Sequence, residues 1–178
     1  MVHAGGEGAG TLAAPARGVR LRDAALRLSF RFEPLEKLLR EPNLRDLVTA
    51  YYEELSPLKG VCTLNPNWEA MLQGDRDGVF CFWAARYNGT FIGFISFHLL
   101  FHLNYRDTLF AMDAGHFLAP AFRGKGRIGY RMWKTAEVAL RERGAKVIMA
   151  HDNIIHSLMP FFLALDYEPR STMFWKAM

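Results

Sequence analysis

The sequence predicts the α/β class, an α+β mixed sheet in which an antiparallel meander of strands is followed by one βαβ crossover, with helices on both faces. Three observations carry that expectation. Two runs of strand-forming residues, Val79–Tyr87 and Thr90–Leu100, flank Asn88-Gly89, a pair suited to a tight type I′ hairpin turn. Tyr130–Arg143 is a strongly amphipathic helix, with Met132, Trp133, Ala136, Val138, Ala139 and Leu140 set against Arg131, Lys134, Glu137, Arg141 and Arg143. Two apolar strand-like runs, Thr108–Leu118 and Lys146–His151, flank that helix, which is the pattern of a crossover unit.

Each further element follows in order. Ala25–Phe32 alternates as a first strand, with Leu26, Leu28, Phe30 and Phe32 on one side and Arg27, Ser29 and Arg31 on the other. Pro34 opens a helical stretch with Leu35, Leu38 and Leu39 on one side, and Pro42 sits well ahead of a second helix over Asn43–Leu55. Ser56–Pro66 reads as a loop, and Asn67–Gln73 as a short helix ended by Gly74. Beyond the crossover, Gly144 stops its helix, Ser157–Leu165 reads as another helix, and Asp166-Tyr167 turns into a last hairpin ending at Phe174–Lys176. The main order is β-α-α-β-β-β-α-β-α-β.

The totals suit one globular unit. Hydrophobic residues make up 51% of the 178 and charged residues 22%. The longest apolar run, near Phe91–Leu103, is interrupted by Gly93, Ser96, His98 and His102, so no membrane span is expected. Met1–Gly18 is rich in glycine and alanine and lacks a basic start followed by an apolar run. Residues 1–20 therefore read as a flexible tail, residues 21–178 as a single domain, and a cytoplasmic location is the default expectation. The two cysteines, Cys62 and Cys81, read as free buried thiols, and no CxxC or HExxH spacing suggests a metal site. The net charge of +4 is modest for a nucleic-acid binder and fits ordinary solubility or attraction of an anionic ligand.

The chemistry concentrates in Phe117–Tyr130, within which Leu118–Gly129 reads LAPAFRGKGRIG. A strand ends at Pro120, a basic glycine-rich turn follows, and a helix starts at once. Glycines admit a close backbone approach, and amide N–H groups at a helix start favour a phosphate. Arg123, Lys125, Arg127 and Arg131 add charge and bidentate donors. From spacing alone the alternative is a simple surface turn. The segment is neither a Walker P-loop, which would end in GK[ST], nor a dinucleotide fingerprint.

This turn resembles motif A of the GNAT superfamily of N-acetyltransferases, R-x-x-G-x-G/A. Arg123 and Gly126 match, Ile128 takes the last position, and Gly129 comes one residue late. The likeness spans Leu44–Met178 and is strongest to a phage- and prophage-associated branch, through His102, Asp113, Pro120-Ala121-Phe122-Arg123, Leu165-Asp166-Tyr167 and Lys176. The resemblance implies a GNAT acyl-CoA N-acyltransferase fold with splayed fourth and fifth strands and acetyl-CoA in the wedge between them. The backbone of Phe117, Leu118 and Ala119 would pair with the pantetheine arm. Arg123, Gly124, Lys125, Gly126, Arg127, Ile128 and Gly129 would hold the pyrophosphate, and Asn153 lies near a cofactor-contacting asparagine. An amine would attack the thioester directly, with its carbonyl polarised by a backbone N–H near Leu118.

The attacking amine must lose a proton. Asp113 is the first candidate base; its alternative is an ion pair with an arginine. His116 and His151 are further candidates, against readings as core-edge histidines, and His98 and His102 read as hairpin residues. Phe162 stands where the family commonly has an acidic tyrosine, Tyr167 reads as packing, and solvent or His156 would then protonate the thiolate. Trp68, Trp83, Trp133 and Trp175 read as core. The expected partner is an amine-bearing small molecule or a protein lysine or N-terminus, with a homodimer open. A modified base in nucleic acid is the weaker alternative, and a CoA-binding regulator or phage accessory protein without catalysis is the main rival.

Overall fold

The structure, a computed structural model, describes residues 28–153 and 156–176. The expected tail at residues 1–20, and residues 25–27 of the predicted first strand, lie outside these. Five strands form one sheet in chain order, β1 (Leu28–Glu33), β2 (Phe80–Tyr87), β3 (Thr90–His102), β4 (Tyr105–Leu118) and β5 (Ala145–Met149). Neighbours from β1 to β4 run antiparallel, and β5 pairs parallel to β4. Helices α1 (Leu35–Leu38), α2 (Leu44–Leu55) and α3 (Trp68–Arg76) lie between β1 and β2. Helix α4 (Ile128–Glu142) makes the crossover, and α5 (Met159–Leu163) follows β5.

Local chemistry explains most boundaries. The β2–β3 hairpin turns on Asn88 (φ 51°) and Gly89 (φ 82°), the pair of positive angles that a type I′ turn requires. The Asn67 side chain caps α3 by accepting the Ala70 N–H at 3.0 Å. Gly74 does not end α3, contrary to expectation. It lies inside the helix, where a Cβ would sit 3.0 Å from Phe80 Cβ, so the missing side chain lets α3 close on β2. Gly78 (φ 71°) follows the Asp77 cap and stops the helix.

Two layers of side chains form the core. Tyr51 of α2 meets Phe94 and Phe117 edge-on, whereas Trp133 of α4 meets Phe97 edge-on. Phe94 and Phe97 are three residues apart on one strand, so α2 and α4 cover opposite faces of the sheet. Trp133 anchors an aromatic cluster with His116, Phe162 and Tyr167.

Several expectations need correction. The last hairpin is absent, because residues 168–176 form no strand and pair with nothing among the described residues. Apolar, β-prone residues make a strand only when a neighbour completes their backbone hydrogen bonds. Trp175 is consequently exposed rather than core, and Phe174 is 90% exposed. The helix expected over Ser157–Leu165 shortens to α5, and Cys62 is exposed while Cys81 is buried; both thiols are free. Burial pushes the Cys81 thiol up to about 12, so it stays protonated.

Candidate active site

Strands β4 and β5 part company halfway along β4. Their pairing runs from Leu109↔Ala145 to Met112↔Met149, and β4 continues to Leu118 without β5, paired with β3 alone. At the point of departure β4 also bulges: Ser96 faces Gly115 and Phe97 faces Asp113, leaving Ala114 unopposed. Gly115 has φ 154°, an angle open to glycine but rarely adopted by other residues. The Ser96 hydroxyl donates to the Gly115 carbonyl at 3.1 Å and fixes the bulge from the β3 side.

Asp113 is the first residue past the last β4–β5 pair and is only 2% exposed. Its Oδ1 accepts the Gly115 N–H at 2.8 Å. Its Oδ2 lies 2.9 Å from His116 Nδ1 and 3.5 Å from the His151 N–H. His151 Nδ1 in turn lies 2.7 Å from the Asp113 carbonyl oxygen. A carbonyl accepts only, and so does an ionised carboxylate, so both imidazoles carry a proton on Nδ1, and in the neutral form each presents Nε2 as a lone pair. The three candidate bases thus form one cluster. Among the described residues no arginine or lysine pairs with Asp113, and its partners are imidazoles and amides.

Further along β4, Ala119 donates its N–H to Ile92 O at 2.9 Å, so its amide points at β3. By the alternation of an antiparallel ladder, Leu118 turns its own N–H and C=O to the open side, whereas Phe117 faces β3 like Ala119. Of the three backbone positions expected to meet a pantetheine arm, Leu118 is the one directed into the opening. Its carbonyl is already taken by Arg123 Nε at 2.7 Å.

The basic turn closes the end of this opening. Gly124 (φ 65°), Gly126 (φ 54°) and Arg127 (φ 55°) are all left-handed, which curls successive amides toward α4's start. Arg127 occupies the N-cap of α4 without a side-chain hydrogen bond, and no acidic residue stands in the first turn. Ile128 is buried and pins the turn to the core. A Cβ on Gly124 or Gly129 would meet nothing within 4 Å, so the backbone is open to a ligand at both. Backbone amides at the positive end of a 15-residue helix, ringed by basic residues, suit a pyrophosphate, although the Ile128 N–H is already donated to the Lys125 carbonyl at 3.1 Å. The side chains are partly engaged. Lys125 Nζ donates to Ala121 O at 2.7 Å, and Arg127 stands over the Tyr130 ring. Arg123 forks onto Glu54 of α2 at 2.5 and 2.9 Å.

Residues 33–157 match the acetyltransferase (GNAT) family. The chain belongs to that family. No individually curated protein sequence matches it. Solved structures share the GNAT fold at low identity. An aminoglycoside acetyltransferase from an uncultured soil metagenomic sample, in complex with sisomicin, is 12% identical, with 89% of this chain and 99% of that chain covered and a TM-score of 0.68. A ribosomal-protein-alanine N-acetyltransferase from Brucella melitensis is 15% identical, covering 84% and 96%, with a TM-score of 0.62. A predicted acetyltransferase with acetyl-CoA from Clostridium acetobutylicum is 11% identical, covering 84% and 95%, with a TM-score of 0.59.

Within this GNAT chain, the remaining candidates fall into place. Asn153, after β5, donates its side-chain amide to the Leu55 carbonyl at the end of α2. Phe162 is buried against Trp133 and His116, and Tyr167 packs on both Trp133 and Phe162. The Tyr167 hydroxyl is buried without a hydrogen bond; burial, then the nearby Glu137 charge, raises its pKa far above the ordinary tyrosine value. That is the profile of a packing residue. Asp166 takes the left-handed angle itself (φ 66°), which an aspartate tolerates better than most residues. His98 packs at a tilt against Phe80, and His102 Nδ1 accepts the Asn104 N–H, so neither reaches the opening. Reading the sequence alone missed Tyr51, Glu54 and Leu55, which bring α2 to the opening. Their helical spacing was visible, but core and site residues on one helix face share that spacing.

Proposed function

We propose that this GNAT-family chain is an N-acetyltransferase, moving acetyl from acetyl-CoA to a primary amine by direct attack in a ternary complex. The observation that carries the reading is the parting of β4 and β5 at Asp113, with His116, His151 and the open side of Leu118 gathered at that point. Acetyl-CoA, when bound, supplies an activated thioester. The amides from Gly124 to Gly129 would hold its pyrophosphate, with Lys125, Arg127 and Arg131 adding charge. Arg123 would join them on leaving Glu54.

His116 acts as the base. Asp113 fixes its tautomer and stabilises the imidazolium formed when Nε2 takes the amine proton. Asp113 itself has both oxygens occupied and serves as the orienting group. The Leu118 N–H would donate to the developing oxyanion. On the acceptor side, a cleft of about 390 Å³ lies against α2 and the following loop, lined by Thr49, Tyr52, Cys62 and Leu64 among others. Aminoglycosides and ribosomal-protein alanine, named for two of the structural neighbours, both carry amines.

Calorimetry with acetyl-CoA tests the cofactor, and release of free CoA thiol with an amine panel tests the transfer. Absence of binding at sub-millimolar acetyl-CoA would remove the proposal, and so would unchanged affinity in a folded Gly126→Glu protein. A second reading, a CoA-binding protein without catalysis, is favoured by Phe162 where a hydroxyl would serve. It requires binding without any thiol release.

A further inference from the structure

The opening contains a hydroxyl that the reaction above does not use. Tyr51 reaches it from α2, with its ring wedged edge-on against Phe94 and Phe117. Its Oη lies over Gly115: a Cβ built at that position would stand 3.0 Å from the oxygen. The β4 bulge and the absent side chain at Gly115 therefore make the space into which the phenol points. The hydroxyl forms no hydrogen bond with any described residue, and it is not sealed from solvent as the Tyr167 hydroxyl is. Asp113, two residues before Gly115, is close enough for its charge to act on Tyr51. Burial first, and that charge second, raise the Tyr51 pKa above its ordinary value, so the phenol remains a proton donor through neutral pH.

The other polar groups at this point are committed as acceptors or bases. Asp113 accepts four donors, three on its carboxylate and one on its carbonyl, and both imidazoles spend their Nδ1–H on it. Acyl transfer from a thioester also needs a donor for the sulfur that departs. We propose that Tyr51 is that donor, its hydroxyl hydrogen-bonding the leaving sulfur from its seat above Gly115. The proposal rests on the reading of the opening as the thioester site. As nitrogen bonds to the acetyl carbon and the carbon–sulfur bond breaks, Tyr51 Oη–H gives its proton to sulfur. His116 Nε2 takes the proton lost by the amine, and solvent returns it to the phenolate, so both groups end as they began.

Tyr51→Phe keeps the ring and removes only the hydroxyl. Activity with a responsive amine is expected to fall about a hundredfold in kcat, with acetyl-CoA affinity and melting temperature nearly unchanged. A readout independent of turnover compares CoA with desulfo-CoA by calorimetry. The parent protein should bind CoA several-fold better, and Tyr51→Phe should lose that preference. Equal preference in both proteins, or an unchanged kcat, overturns the role of Tyr51. Failure of the parent protein to bind either ligand overturns instead the thioester site itself, and the proposal with it.

Discussion

Buried carboxylates sit at both ends of the sheet, and their company differs. At the β1–β2 end, Glu33 is buried between permanently charged partners: Arg86 grips it at 2.7 Å through both Nε and Nη2, and Arg31 and Lys37 add contacts at 2.9 Å. Arg86 also reaches Glu41 and the Gly89 carbonyl, so most of its donors are used. At the β4–β5 end, Asp113 is equally buried but faces two imidazoles and backbone amides. The first cluster is closed, and none of its members has a reason to change protonation near neutral pH. The second is built from groups that carry and release protons, at a place where the backbone stands open. Burial alone therefore does not mark a site; the spare protonation capacity of the partners does.

The sharpest way to break this comparison is to remove one member at each end. His116→Ala should lower kcat by about 10²–10⁴-fold while leaving the protein folded. Steady-state kinetics with circular dichroism checks this, and an unaltered kcat would return His116 to a packing role. Arg86→Met should instead cost about 3–5 kcal/mol of stability, since it strands Glu33 in the interior. A urea titration showing a loss below about 1 kcal/mol would contradict the closed-cluster description.

Acid sharpens the same contrast. Burial alone would raise the Glu33 carboxyl, but hydrogen bonds from Arg86, Lys37 and Arg31 overcome it and hold the pKa at about 2 instead of 4.5. Because the folded value is the lower one, this contribution is complete above about pH 4.5 and disappears as pH falls toward 2. Melting curves across that window should flatten in Glu33→Gln, and an unchanged acid slope would assign the loss elsewhere.

Gly115→Ala should cost about 1–3 kcal/mol, from its positive φ and the contact with Tyr51. Pairing it with Tyr51→Phe should recover part of the loss, because the nearest atom is then gone. The smallest effect belongs to Glu54→Gln. The Arg123–Glu54 fork is about one-third exposed on each side, so its removal should shift stability by no more than about 1 kcal/mol.

Much of this architecture was legible in the residues. Asn88-Gly89 announced the hairpin by its positive angles, and the apolar stripe of Tyr130–Arg143 announced α4. The basic glycine-rich turn was legible because glycines and arginines mean something at that spacing before a helix. Asp113, His116 and His151 could be nominated by strand position, but their mutual bonding could not, since it depends on a one-residue bulge at Ala114. Arg123 shows a different limit: sequence assigns it a positive charge near the turn, while folding gives that charge to Glu54, sixty-nine residues away. The tail at Met173–Trp175 misled for a simpler reason, because strand propensity cannot supply the strand beside it.

Helix α2 ends with a tie to each side of the opening. Glu54 holds Arg123, which holds the Leu118 carbonyl on β4, and the Leu55 carbonyl receives Asn153 from the segment after β5. The helix is thus a crossbar between two diverging rails. While both contacts hold, the gauge of the opening and the placement of α2 are one mechanical variable, and releasing Arg123 from Glu54 frees the β4 side from the helix that the loop leaves at Ser56.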